Sequence, residues 1–278
     1  MLSENQIDSL SIDGACVVPG YLTTKEVDNI RKGIDEDLSL QSPFKTEIRG
    51  FDGASMITNI WRSKEIDEFN AFCTSDKLIS LVREIFNGLS FRFLQDTWFH
   101  RPKSCSVEIP WHHDNIIEGI HYSIWISLTE HGERDSLKFV AGSHKRKLEY
   151  MPKSYFNPEN TSGDVEDYYH KYNKISGKDL ANKFVPVPSN EEIERTEKIL
   201  SWPTRPGDCI IFNSRVLHSL GCHAINNERS GFVTRWIEEG SRVAAHAEET
   251  VKTIIDAGLD VDIMPGAEVK GSLFTLYR

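Results

Sequence analysis

The sequence predicts an α+β fold: helices first, then a mainly β, antiparallel core with a long insertion between two of its strands. Three observations carry that expectation. Apolar residues recur at helical spacing in the first third of the chain and at alternating spacing from Leu89 onward. The turn-forming run Arg205-Pro206-Gly207-Asp208 stands directly before a short apolar segment. A polar, charged stretch over residues 145–200 interrupts the strand pattern, and it is too long for an ordinary connection.

Taken in order, Thr23 to Leu38 reads as a helix. Thr23 and Glu26 have capping-box spacing, and Val27, Ile30, Ile34 and Leu38 form an apolar stripe. A second helix is expected from Ser75 to Phe86, with Leu78, Leu81, Val82 and Ile85 on one face and Gly88 to stop it. Leu89 to Arg101 then reads as an aromatic-rich strand. Ile120 to Thr129 alternates cleanly, with Ile120, Tyr122, Ile124, Ile126 and Leu128 on one face. His121, Ser123, Trp125, Ser127 and Thr129 take the other. Cys209 to Phe212 and Phe232 to Ile237 are further strands. Within the 145–200 insertion, a lid or a solvated excursion, a helix is expected from Ser189 to Leu200. Another is expected from Glu249 to Ala257, before an irregular end.

The 278 residues are 39% hydrophobic, enough for a sizeable core, and 1–278 is expected to form a single domain. No run approaches about 18 consecutive apolar residues, so no membrane span is expected. The opening MLSENQIDSL lacks the basic and apolar regions of a secretory signal. A net charge of −10 disfavours broad nucleic-acid binding, which needs a basic surface. The five cysteines are scattered, odd in number and without CxxC, as reduced thiols of a cytoplasmic protein would be. Monomer and homodimer are both compatible with the sequence.

The chemistry concentrates at Trp111-His112-His113-Asp114. On a strand, residues i and i+2 point the same way, so His112 and Asp114 can present an imidazole and a carboxylate to one metal while His113 points away. The pair alone is a weak signal among ten histidines and many acids. A third ligand is available at His218, after Pro206-Gly207-Asp208. Two histidines and one carboxylate on one face of a metal leave three positions open, as in non-haem Fe(II) oxygenases. Arg229 lies eleven residues beyond His218. A planar guanidinium there would hold the far carboxylate of an iron-bound 2-oxoglutarate. The plainer reading of Arg229 is a turn residue paired with Glu228.

These blocks resemble the phytanoyl-CoA dioxygenase family of Fe(II)/2-oxoglutarate oxygenases. The likeness rests on Trp-His-x-Asp at 111–114, Ile-Trp-Ile-Ser-Leu at 124–128 and Ser-Leu-x-Phe-Val-x-Gly-Ser-His-Lys at 136–145. It continues through Pro-Gly-Asp at 206–208, His218 and Arg229, from about Gln95 to Trp236. The resemblance implies a double-stranded β-helix (jelly roll, cupin-like) with N-terminal helices outside it. It implies His112, Asp114 and His218 as iron ligands and Arg229 as the clamp on 2-oxoglutarate. Trp125 would line the co-substrate pocket, or else be an ordinary core aromatic, and Gln95 would face substrate. The implied cofactors are Fe(II), 2-oxoglutarate and O2, with ascorbate as an aid. The implied reaction is hydroxylation of a C–H bond of a small molecule or natural-product intermediate, releasing succinate and CO2.

Leu220 stands where the family often has serine two residues after the distal histidine, with Ser219 one place earlier. Asp114 is retained, whereas halogenating relatives replace it with a small residue. Two other classes share the ligand set: a cupin-like isomerase or lyase without 2-oxoglutarate, and a non-catalytic binding relative. Cys222 and His223 follow His218 at a spacing that matches no structural zinc site. His100, His113 and His121 lie near the site in sequence and read as structural or pocket-lining residues. Substrate identity, acyl-CoA or free small molecule, is not encoded in these motifs.

Overall fold

The computed structural model describes residues 1–50, 53–132, 135–152, 184–221, 227–259 and 263–278. The chain begins with α1 (Glu4–Ile12), β1 (Ala15–Val18), α2 (Thr24–Ser39), β2 (Thr46–Arg49), β3 (Ser55–Ile60), α3 (Asp67–Cys73) and α4 (Asp76–Ile85). The β-rich part follows as β4 (Phe91–Arg101), β5 (Ile109–His112), β6 (Ile117–Glu118), β7 (His121–Ser127), β8 (Leu137–Val140), β9 (Glu149–Met151) and β10 (Phe184–Pro186). Then come α5 (Asn190–Thr196), β11 (Ile199–Ser201), β12 (Cys209–Asn213), β13 (His218–Leu220), β14 (Arg229–Glu238), β15 (Arg242–Val243), α6 (Glu248–Asp256) and β16 (Leu276–Tyr277).

The expected N-terminal helices form for the expected reasons. Thr23 caps α2 through a reciprocal capping box with Glu26, and Ser75 caps α4 by accepting from the Leu78 N–H. Val27, Ile30 and Ile34 of α2 and Leu78, Leu81 and Val82 of α4 are buried. Each such side chain stabilises the fold by about 1.5–3 kcal/mol. The expected helix from Ser189 is cut short: α5 ends at Thr196, and the chain turns into β11. Ile199 and Leu200 pair with Val140 and Phe139 of β8, so sheet pairing overrides helical continuation. Most of the predicted insertion (153–183) lies outside the described residues, as do Cys222 and His223.

Two antiparallel sheets make a jelly roll. The larger runs β1-β12-β7-β14-β4-β3-β2, with β16 also on β4, and the smaller runs β11-β8-β13-β5. Strand alternation sorts the side chains between two layers. Ile124, Ile126, Phe232 and Trp236 face outward from the large sheet and pack with α2, α3 and α4. Trp125, Ile210, Phe212 and Val233 face inward and meet Leu137, Phe139 and Leu220 of the small sheet. A third cluster joins Trp61, Leu94, Ile117 and Ile237 to the C-terminal segment through Val251, Ile254 and Phe274. Cys16, Cys73, Cys105 and Cys209 are buried. No described helix is long and apolar enough to cross a membrane.

Candidate metal centre

The site is assembled by the small sheet. His112 ends β5 and His218 begins β13, and the two are direct antiparallel partners. Opposite residues present side chains to the same face, and here the imidazole centroids are 4.2 Å apart. Asp114 follows two residues after His112, and its backbone N–H donates to the Ser214 carbonyl at 2.8 Å. One ligand atom from each of His112, Asp114 and His218 lies within 4.8 Å of the others. His113 points away, with Nε2 3.5 Å from Glu149, which also pairs with Arg215 at 2.9 Å.

The donor set suits a divalent metal. The Nδ1 of His112 lies 2.7 Å from the Pro110 carbonyl, and that of His218 lies 2.8 Å from the Val216 carbonyl. A carbonyl only accepts, so each Nδ1 carries the proton and each Nε2 keeps its lone pair for a metal. Burial lowers the pKa of both imidazoles, that of His218 to about 3 with the charge on His112 assisting. Burial alone would raise the Asp114 carboxyl, but Arg235, then His218, His121 and His112, hold it well below the ordinary range. Arg235 Nε lies 3.2 Å from Asp114 Oδ2, and its Nη1 donates to Thr97 Oγ1 at 2.9 Å. Two neutral imidazoles and an ionised carboxylate are what a facial two-histidine, one-carboxylate Fe(II) site requires.

The other expected residues lie on the inner face of the large sheet. Arg229 opens β14 and is buried; its Nε meets Asp135 Oδ2 at 2.5 Å and its Nη1 donates to the Glu228 carbonyl at 3.2 Å. It is therefore a strand residue whose ion pair is with Asp135 rather than with Glu228. Trp125 stacks on Phe99 at 5.6 Å and lies against Gly231, where any Cβ would run into the indole. Gln95 lines a cavity with Asp114, His121 and Arg235, and its Nε2 donates to Thr97 Oγ1 at 3.0 Å. Arg229 and Trp125 are not among the residues lining that cavity.

Arg235 and Asp135 were not singled out from the sequence. A signal for Arg235 existed: Arg229, Gly231, Val233 and Arg235 alternate, so both arginines fall on one face of a single strand. Asp135 carried none, because its partner is 94 positions away.

Comparison with known proteins gives the family and the fold. Residues 11–224 match the family model described as phytanoyl-CoA dioxygenase. No curated protein matches the sequence. Among solved structures, the non-haem, α-ketoglutarate-dependent carbocyclase SnoK from nogalamycin biosynthesis aligns with a TM-score of 0.70 at 14% identity. That alignment covers 100% of this chain and 97% of SnoK. The epimerase SnoN, in complex with Fe3+, α-ketoglutarate and nogalamycin RO, aligns at 0.69 and 18% identity, over 99% and 98% of the two chains. EctD from S. alaskensis, with 2-oxoglutarate and 5-hydroxyectoine, aligns at 0.63 and 15% identity, over 87% of this chain and 78% of its own. At such identities the likeness is one of fold.

Proposed function

This chain belongs to the phytanoyl-CoA dioxygenase family, and from that premise we propose that it is a non-haem Fe(II)- and 2-oxoglutarate-dependent oxygenase that hydroxylates a C–H bond of a small molecule. The observation that carries the reading is the His112, Asp114, His218 cluster with its Nδ1–carbonyl bonds and its arginine-held carboxylate. In this reading the two Nε2 atoms and one Asp114 oxygen ligate the iron. Bound Fe(II) with 2-oxoglutarate supplies O2 activation coupled to decarboxylation, giving succinate and CO2.

The chain's own groups position and exclude. Arg235 engages Oδ2 of Asp114, which leaves the other oxygen for the metal and fixes the carboxylate plane. Arg229 supplies the buried cation for the distal carboxylate of 2-oxoglutarate, with Asp135 holding its Nε. Trp125 gives that pocket an apolar wall, and the largely apolar cavity beyond Asp114 receives the substrate. Gln95 faces the substrate there. Residues 1–278 act as one oxygenase domain in this scheme, since β1 pairs into the large sheet and the C-terminal segment walls the cavity.

Anaerobic addition of Fe(II) and 2-oxoglutarate is expected to give a weak visible charge-transfer band, abolished in His112→Ala. Absence of the band from well-loaded wild-type protein would overturn the assignment. Arg229→Ala is expected to remove the dependence on 2-oxoglutarate, whereas a cupin-like isomerase using the same ligands would be indifferent to it. A carbocyclase and an epimerase share the fold, so product mass decides the outcome. Gain of one oxygen marks hydroxylation, loss of two hydrogens marks ring closure or desaturation, and an unchanged mass with an inverted centre marks epimerisation.

A further inference from the structure

A cavity opens beside the metal centre, with about 670 Å³ of empty space counted out through its mouth. Its lining divides sharply. Ten of the fifteen residues are apolar, and the outer wall is contributed by the C-terminal segment through Val243, Val251, Ile254, Ile263, Val269 and Phe274. The polar residues other than Thr250 are Gln95, Asp114, His121 and Arg235. They sit together at the metal end: Arg235 joins Asp114 and Thr97, and Gln95 joins the same Thr97 hydroxyl.

His121 stands apart in this group. It is 2% exposed, and neither ring nitrogen has a hydrogen-bond partner. It begins β7 on the inward face, opposite Ile237 of β14 and two residues before Ser123, the partner of Arg235. Leaving a buried polar group without a partner is destabilising, so an imidazole lining a cavity in that condition calls for an occupant that completes it. The charge balance limits what the occupant is. Arg235, the one cation in the described lining, is already paired with Asp114. Nothing else there would neutralise the several phosphates of a coenzyme A thioester, and too few polar groups are present to satisfy a sugar or a zwitterionic amino acid.

We propose that the substrate is a compact, largely hydrocarbon molecule with one or two oxygen functions, whose body packs on the C-terminal wall and whose oxygen hydrogen-bonds His121 beside Asp114. This rests on the reading of the adjoining cluster as the iron site. Gln95 is the second polar reader of the same end of the molecule. His121 and Gln95 thereby set which carbon of the substrate is turned toward the metal.

The test uses the full, metal-free chain, so it does not depend on iron loading. Isothermal titration with farnesol, 1-adamantanol and camphor is set beside L-proline and decanoyl-CoA. At least one of the three oxygenated hydrocarbons is expected to bind, and proline and decanoyl-CoA to bind at least tenfold more weakly. Val251→Trp, which fills the apolar wall, is expected to abolish that binding. His121→Phe is expected to weaken it about tenfold while leaving the affinity for the matching hydrocarbon unchanged. Gln95→Leu is the second variant should His121→Phe fail to fold, with a smaller loss expected. The proposal is overturned if none of the three binds, if proline or decanoyl-CoA binds best, or if neither polar variant alters affinity. A missing charge-transfer band with probe binding intact would sink the iron reading alone; an intact band without probe binding would sink this one alone.

Discussion

A buried carboxylate beside two imidazoles serves as a ligand only while it is ionised, and Asp114 stays ionised because Arg235 lies 3.2 Å from it. Arg235→Met is therefore expected to lower Fe(II) affinity by about 10–100-fold, read by metal titration, with Arg235→Lys falling between. Unchanged affinity in Arg235→Met would show the ion pair to be incidental. This interaction also shows where residue-scale legibility stops. His112 and Asp114 are visible as a strand-spaced pair, but His218 and Arg229 gain their meaning only from the ordered family blocks. Arg235 has its partner 121 positions away, a distance that no local pattern reports. His121 was legible as sharing one face of an alternating strand with Ser123 and Trp125. Its two unpartnered nitrogens became visible only once the surrounding elements closed around it.

At the scale of elements, β7 and β14 are adjacent strands whose inward faces form one surface, with Val233 opposite Trp125 and Gly231 opposite Ser127. The indole lies over Gly231, which has no side chain to hold it off. Gly231→Val would place a branched side chain where Trp125 stands, on a strand paired along both edges and so unable to shift. Overpacking of this kind costs about 1–3 kcal/mol. Denaturant unfolding is expected to show that loss, and Gly231→Val with Trp125→Leu to recover part of it. Strict additivity of the two would mean that the contact carries no energy. The long strands and the capped helices were legible because their signals are local: alternation in β7, reciprocal caps in α2. The short strands β2, β3, β8 and β11 were not, because three to six residues held by pairing carry too little pattern of their own. The end of α5 at Thr196 is the same effect, since Ile199 and Leu200 serve β8 rather than the helix.

Across the whole molecule, burial has collected imidazoles that fold in the neutral form. Burial is the largest cause in each case, bringing His113, His121 and His131 down to about 4 and His218 to about 3. An unfolded chain protonates histidine near pH 6.5. Below that pH the unfolded state binds protons that the folded state refuses, so stability is fully present above about 6.5 and is lost as the pH falls toward 4. Each such imidazole contributes a slope of up to about 1.4 kcal/mol per pH unit within that window. Asp114 acts lower: its depressed pKa gives stability that is lost only as the pH drops below the ordinary aspartate value. The metal-free protein is thus expected to hold its stability from pH 8 to about 6.5 and to lose it steeply toward pH 4, as followed by denaturant midpoints. His131→Phe, remote from the proposed ligands, is expected to flatten the slope by about one proton. Bound metal competes with protons for His218 and is expected to move the onset of unfolding to lower pH. A midpoint that stays level from pH 6.5 to 4 in the metal-free protein would mean that these imidazoles protonate as readily in the folded protein as in the unfolded chain, so that their burial does not hold them neutral.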